Sequence, residues 1–286
     1  MGPEFLSMSK TIINKFFELI WTIKEYFLYW IRPLQLDIHI SEHCNLNCIS
    51  CTNFSPLAHP KFADLKELDN NLKYLSKFQK SFGVLQLMGG EPLLNPNIID
   101  IIKISRKYFS KTSIKILTNG ILLKSMKDDF WRACREYDIN ISVTIYPINI
   151  NVMEIEKICD NNKVRFEIFA IRTGEKAFYA YKVNPNGGQK VFMKFIKCQS
   201  SGCMQIVENK IFACPISADI KHLNSAFGYD FKQKRRDYVR IDKMKTAFQL
   251  RWLRARSKPF CYYCELRGNS FPWRKSEKKE EEWVKY

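Results

Sequence analysis

The chain has 286 residues, with 46 Lys or Arg against 29 Asp or Glu, for a formal net charge of +17. A hydrophobic content of 46% and an aromatic content of 14% exclude a disordered or low-complexity chain, and the length suffices for one large core with an appendage. The basic excess predicts attraction to anions, and ten cysteines at metal-ligand spacings without a signal peptide point to the reducing cytosol rather than a disulfide scaffold.

Residues 1–7, MGPEFLS, read as a vector-derived leader, with Met8 as the native start. A helix with many aromatics follows over 10–32. Its apolar stretch, 16–31, contains Glu18, Lys24 and Glu25, too short and too polar for the about 20 apolar residues of a membrane span. It reads as a helix packed across the body of the protein. An interfacial helix in peripheral membrane contact is the alternative. From residue 34 strand-like runs (34–40, 84–88, 113–118, 139–146, 164–171) alternate with helical runs (65–80, 97–109, 127–137, 152–161). The strands are near-continuously apolar, which predicts cover on both faces. The alternation predicts parallel strands with right-handed crossovers, in a barrel or a doubly wound sheet. The turn cluster Asn184 to Gly188 marks a boundary, giving segments 1–33, 34–188 and 189–286. Residues 204–213 read as a hairpin turning near Asn209. Eleven Lys or Arg fall between 232 and 258, which reads as a solvated helix with Phe248 and Trp252 in the core. The charged tail, 275–286, reads as another solvated helix.

Cys44, Cys48 and Cys51 lie in a short loop directly after the first strand. Three thiolates turned to one point suit an iron–sulfur cubane better than a disulfide, which would leave one thiol over. Three ligands on four irons leave one iron open to a reactant. Half of a zinc site, or buried apolar thiols, are the blander readings. Gly89-Gly90-Glu91-Pro92 ends the second strand, and Thr118-Asn119-Gly120 ends the third.

In order and spacing these three motifs resemble the radical S-adenosylmethionine (SAM) enzymes, over roughly residues 34–175. The resemblance implies an α/β fold, a partial (β/α)6 barrel with its motifs at the C-terminal strand ends. It implies a [4Fe–4S] cluster on Cys44, Cys48 and Cys51 whose open iron takes the methionyl group of SAM. Reduction by an external donor of flavodoxin or ferredoxin type then yields a 5′-deoxyadenosyl radical that abstracts hydrogen from substrate. Gly89 and Gly90 would let backbone approach the methionyl amine, with Glu91 holding that amine or the turn. Thr118 and Asn119 would reach cofactor or substrate. Thr144, with Ser142 two residues earlier on the same strand face, would contact ribose or carboxylate, and Arg172 would pair with the SAM carboxylate. An aromatic residue usually precedes the third cysteine in this family, near the adenine. Here it is Ser50, so the contact would come from backbone or from Phe54.

A second set, Cys198, Cys203, Cys214, Cys261 and Cys264, offers five candidates for a four-thiolate site. It resembles the short auxiliary-cluster extension called twitch, with one further [4Fe–4S] cluster; structural zinc is the alternative. The longer form, SPASM, needs more cysteines than remain. Cys134 and Cys159, on predicted helices, read as core. The resemblance implies a radical SAM oxidoreductase, dehydrogenase- or epimerase-like. Its expected substrate is a small polar molecule, a sugar, aminocyclitol or nucleotide sugar, possibly phosphorylated, with the auxiliary cluster as electron acceptor. Members of this short form include an aminocyclitol dehydrogenase, and the motif set is similar to members found with polysaccharide and glycan assembly genes. A peptide-modifying enzyme is the second reading. A zinc-stabilised nucleic-acid-binding protein is the third, although no nucleic acid partner is expected.

Overall fold

Strand β1 (Gln35–Ser41) shows how the barrel is built, because its residues alternate in character. Leu36, Ile38 and Ile40 face one way into the main core, and Gln35, Asp37, His39 and Ser41 face the other. The computed structural model describes residues 30–174, 178–198, 200–265, 268 and 270–286. The chain forms two compact units, 1–33 and 34–286. The leader and most of the aromatic helix expected over 10–32 lie outside the described residues. Among the described residues no helix is long and apolar enough to cross a membrane.

The second unit repeats the strand–helix step: α1 (Leu65–Leu75), β2 (Val84–Gly89), α2 (Ile98–Tyr108), β3 (Ser113–Thr118), α3 (Asp128–Glu136), β4 (Ile139–Ile145), α4 (Val152–Asn161) and β5 (Phe166–Ile171). Local chemistry fixes the helix starts. Asp64 accepts from Glu67 N to cap α1, and Asn151 accepts from Glu154 N to cap α4. The strands run parallel in the order β1 to β5. Their apolar face meets Leu68, Leu72, Ile101, Ile102, Phe130 and Ile155 of the helices. Each such fully buried Leu, Ile or Phe contributes about 1.5–3 kcal/mol.

The opposite face is polar, which corrects the expectation of apolar cover on both sides. Asp37, Gln86, Lys115 and Asn140 stand in register across β1 to β4. Glu167 accepts from Lys115 Nζ at 2.6 Å and from Ser142 Oγ at 2.7 Å. Asp37, Gln86 and Ser142 on this face are nonetheless buried, so it is a polar interior face held by hydrogen bonds rather than an apolar one. The sheet forms an α/β partial barrel.

The sixth parallel strand comes from elsewhere than its place in sequence. β6 (Phe178–Tyr179) leaves the barrel row and pairs with β10 (Ser270–Phe271). The outer edge of β1 is taken instead by β7 (Gln205–Val207), parallel to it, followed by antiparallel β8 (Lys210–Phe212) and β9 (Tyr238–Arg240). β7 and β8 form the hairpin expected at Asn209, so the segment beyond 188 continues the barrel sheet. Helices α5 (Val191–Lys197), α6 (Pro215–Phe227) and α7 (Phe248–Ala255) complete the unit. Phe248 and Trp252 are exposed and stacked, which corrects their core placement. Cys134 and Cys159 are buried in the main core. Residues 275–286 form no α-helix: Lys275 bridges Cys48, and Trp283 is buried.

Candidate functional site

The cysteine loop after β1 is held from two sides. On one side stands the turn after β2, where Gly90 N donates to Ser41 O (2.7 Å) and Glu91 N to His43 O (3.0 Å). A Cβ on Gly89 would lie 2.2 Å from Ser41 O, and one on Gly90 2.1 Å from His43 O. The glycines therefore admit the backbone of the cysteine loop, which is a different reason for them than close approach of a ligand. On the other side lies the C-terminal segment. Ile49 N donates to Arg274 O, Ser276 N to Asn47 O, and Trp283 Nε1 to Cys51 O. Asn47, Ser50 and Phe54 hold positive φ (53°, 50° and 52°) without being glycine. Such strain costs on the order of 1–3 kcal/mol per residue and persists only where neighbours over-determine it. Here Ser50 Oγ donates to Glu282 O and Phe54 is buried against the Trp283 ring.

Cys44, Cys48 and Cys51 line one cavity of about 420 Å³ at the C-terminal ends of the barrel strands. Ser50, Gly89, Gly90, Thr118, Asn119, Thr144 and Arg172 line it too. Three other expected site residues do not. Phe54 is packed beneath the loop, and Ser142 bonds Glu167 deeper in the barrel. Glu91 is fully buried, accepting from Thr118 Oγ1 (2.6 Å), Asn119 N (3.0 Å) and Leu93 N (3.1 Å). Glu91 thus ties the β2 turn to the β3 turn and has no face on the cavity. Burial pushes its carboxyl up to about 7, against the pull of those three donors. Sequence reading missed Tyr146, Phe178, Tyr179 and Tyr181, whose rings also line the cavity. Aromatics carry no ligand-spacing signal, even where three fall within 178–181.

The three sulfurs are ringed by donors. Leu46 N points to Cys44 Sγ (3.4 Å) and Trp273 Nε1 to Cys48 Sγ (3.1 Å), and the backbone N–H groups of Asn53 and Ser55 serve Cys51. Burial pushes Cys44 and Cys48 up to about 12 and raises Cys51 as well. Thiols of this kind ionise when a metal supplies the opposing charge. N–H donors aimed at sulfur are a standard means of tuning an iron–sulfur cluster. Among the described residues no three Cys, His, Asp or Glu side chains gather closely enough to hold a single metal ion. Thiols spread around a shared space fit a polynuclear cluster.

Cys198, Cys214, Cys261 and Cys264 line a second, largely apolar cavity. Cys198 ends α5, Cys214 precedes α6, and the other two flank a short turn. Cys203, a candidate ligand on sequence, does not line this cavity. It sits near Asp37, and burial first, then that carboxylate, push its thiol up to about 12. The hairpin does bring Cys203 and Cys214 to neighbouring strand ends, and the Cys203 thiol lies near those of Cys214 and Cys198. Lys258 lines the second cavity and is 1% exposed, despite lying in a run expected to be solvated. Thr52, Tyr181 and Ser200 line both cavities and form the wall between them.

Residues 38–169 match the family model described as the Radical SAM superfamily. A GTP 3′,8-cyclase of Helicobacter pylori is 33% identical over 100 residues, 34% of this chain and 31% of that protein. A probable GTP 3′,8-cyclase of Thermoplasma volcanium is 31% identical over 116 residues, 41% of this chain and 34% of that protein. The chain thus spans about a third of the length of these curated relatives. Among solved structures, BtrN in complex with AdoMet and 2-DOIA gives a TM-score of 0.49 at 14% identity, covering 82% of this chain and 93% of that one. Native anSMEcpe with bound AdoMet gives 0.48 at 16% identity, covering 76% and 80%. The barrel of this chain is a radical SAM domain.

Proposed function

We propose that the chain is a radical SAM enzyme that removes a hydrogen atom from a small polar substrate, a sugar, aminocyclitol or nucleotide-linked sugar. Cys198, Cys214, Cys261 and Cys264 would hold a second iron–sulfur cluster, which would supply an electron acceptor. The observation that carries this reading is the pair of cysteine-lined cavities separated by one wall of Thr52, Tyr181 and Ser200. Bound at Cys44, Cys48 and Cys51, a [4Fe–4S] cluster with SAM supplies a hydrogen-abstracting 5′-deoxyadenosyl radical.

The chain's own residues do the rest. Asn119 Nδ2 donates to Asn45 Oδ1 at 2.7 Å, which fixes the β3 turn against the cysteine loop at the cavity rim. Arg172 offers a cation for a carboxylate or a single phosphate. Tyr146, Phe178, Tyr179 and Tyr181 offer ring faces to a sugar or a base. Among the described lining residues Arg172 is the one charged group, and Asp, Glu, His and Lys are absent. A single cation among them supports a sugar or aminocyclitol over a polyphosphate such as the GTP named for the relatives. A flavodoxin or ferredoxin type donor would supply the starting electron.

The test is anaerobic reconstitution with iron and sulfide analysis. About eight irons per chain supports two cubanes, about four supports one, and zinc alone removes the reading. Incubation with SAM, dithionite and candidate sugars, aminocyclitols, nucleotide sugars or GTP should release 5′-deoxyadenosine. No release above a Cys44/Cys48/Cys51→Ala triple variant, even without substrate, overturns the proposal.

A further inference from the structure

Lys258 is held entirely inside the protein. Its Nζ donates to Ser201 O and Arg254 O, both at 3.1 Å, and lies 4.5 Å from the centroid of the Phe195 ring. Among the described residues no carboxylate pairs with it. The other lysine near the cavity with a named carboxylate, Lys194, faces Glu265 at 3.7 Å. A buried ammonium without an anion is costly, and chains rarely keep one unless a counter-charge is present. Burial lowers its ammonium to about 8, and the neighbouring thiols of Cys261, Cys214 and Cys198, once ionised, oppose that shift. Two backbone carbonyls fix the position of the charge but do not neutralise it.

We infer that Lys258 is the built-in counter-cation of the second cysteine site, and that its fixed charge raises the reduction potential of a cluster held there. The inference rests on the four-thiolate cluster of the proposed function. A cubane on four thiolates is anionic and gains one further negative charge on reduction. A fixed cation therefore stabilises the reduced form more than the oxidised one. The low-dielectric surroundings given by Phe195 and Phe260 leave that effect poorly screened. Lys258 acts through the cluster and touches no substrate, so it is a positioning residue. The first cavity differs: its sulfurs receive neutral N–H and O–H donors, and its one charged lining residue is Arg172, at the end of β5.

The test uses the reconstituted full chain. Lys258→Gln keeps N–H donors for the two carbonyls and removes the charge, while Lys258→Arg keeps the charge. With about eight irons in each protein, potentiometric titration followed by EPR reads both clusters. The Gln variant is expected to lose about tenfold in the reduction equilibrium of the second cluster, about 59 mV for one electron. The first cluster should stay unchanged, and the Arg variant should stay near the native value. Equal potentials in native and Gln proteins, both fully loaded, overturn the inference and leave the two-cluster reading intact. About four irons in the native protein, or zinc at the second site, remove that reading and the inference with it. Should the Gln variant fail to load, native protein carrying 15N-lysine serves instead. Pulsed EPR of its reduced second cluster should detect a lysine nitrogen that is lost in Lys258→Arg, which keeps Lys194 and Lys197; no coupling, or the same coupling in both proteins, overturns the inference.

Discussion

The two cysteine-lined cavities share a wall and differ in almost everything else. The first has three thiols, an open lining of mixed polarity with Arg172 on it, and neutral donors to sulfur. The second has four thiols, a largely apolar lining and a buried ammonium. A shell with one ligand too few, opening on hydroxyls, amides and ring faces, is suited to bind a reactant. A complete shell closed in apolar side chains is suited to exchange electrons without chemistry at the metal. The number of thiols and the polarity of the lining vary together, as expected if each cavity is shaped for one of these tasks.

The sharpest way to break the comparison is to remove one thiol from each side. Cys51→Ala should abolish 5′-deoxyadenosine release while the second site keeps its iron. Cys264→Ala should leave substrate-free SAM cleavage in place and abolish product formation. Iron analysis with mass spectrometry of both products checks this, and equal loss of both activities in both variants would end the division of labour. The next largest effect is expected from Gly90→Ala, whose Cβ would lie 2.1 Å from His43 O. The backbone of the cysteine loop would have to move, costing about 3 kcal/mol or more in chemical denaturation, with iron lost from the first site before the second.

Glu91 gives a comparable but pH-gated effect. Its carboxyl is raised from 4.5 to about 7 by burial, so the folded state holds a proton that the unfolded state gives up. This contribution to stability is full below pH 4.5 and is lost as pH rises through about 7. Over that window it amounts to about 3 kcal/mol. Glu91→Gln should flatten that slope in the iron-free protein, measured by denaturant midpoints across the window. The smallest effect is Trp273→Phe, which removes the N–H donor to Cys48. It should lower the reduction equilibrium of the first cluster by about threefold and leave the second untouched, as potentiometry would read.

The first site was legible in sequence because its ligands are neighbours in the chain and its supporting turns follow strands at regular spacing. The second was half legible. Five thiols were in view, but the choice against Cys203 depends on which side of a strand end faces Asp37. Lys258 was hidden among eleven basic residues, since composition does not mark which of them is buried. The strands were placed nearly to the residue, yet their polar face was overlooked: single residues such as Asp37, Gln86 and Lys115 look like interruptions until registration aligns them. The tail misled because charge outweighed Trp283 in the reading, and that ring, with Trp273 just before the tail, binds this end of the chain to the cysteine loop.

That binding also sets an order of events during synthesis. The hydroxyl of Ser50 is capped by Glu282, 232 positions further on, and Cys48 receives its indole donor from 225 positions further on. A ribosome would finish the whole barrel while the loop for the first iron centre still lacked half of its scaffold. Metal delivered during translation would meet an unformed seat. The seat is complete only once residues 273–283 lie against the cysteine loop.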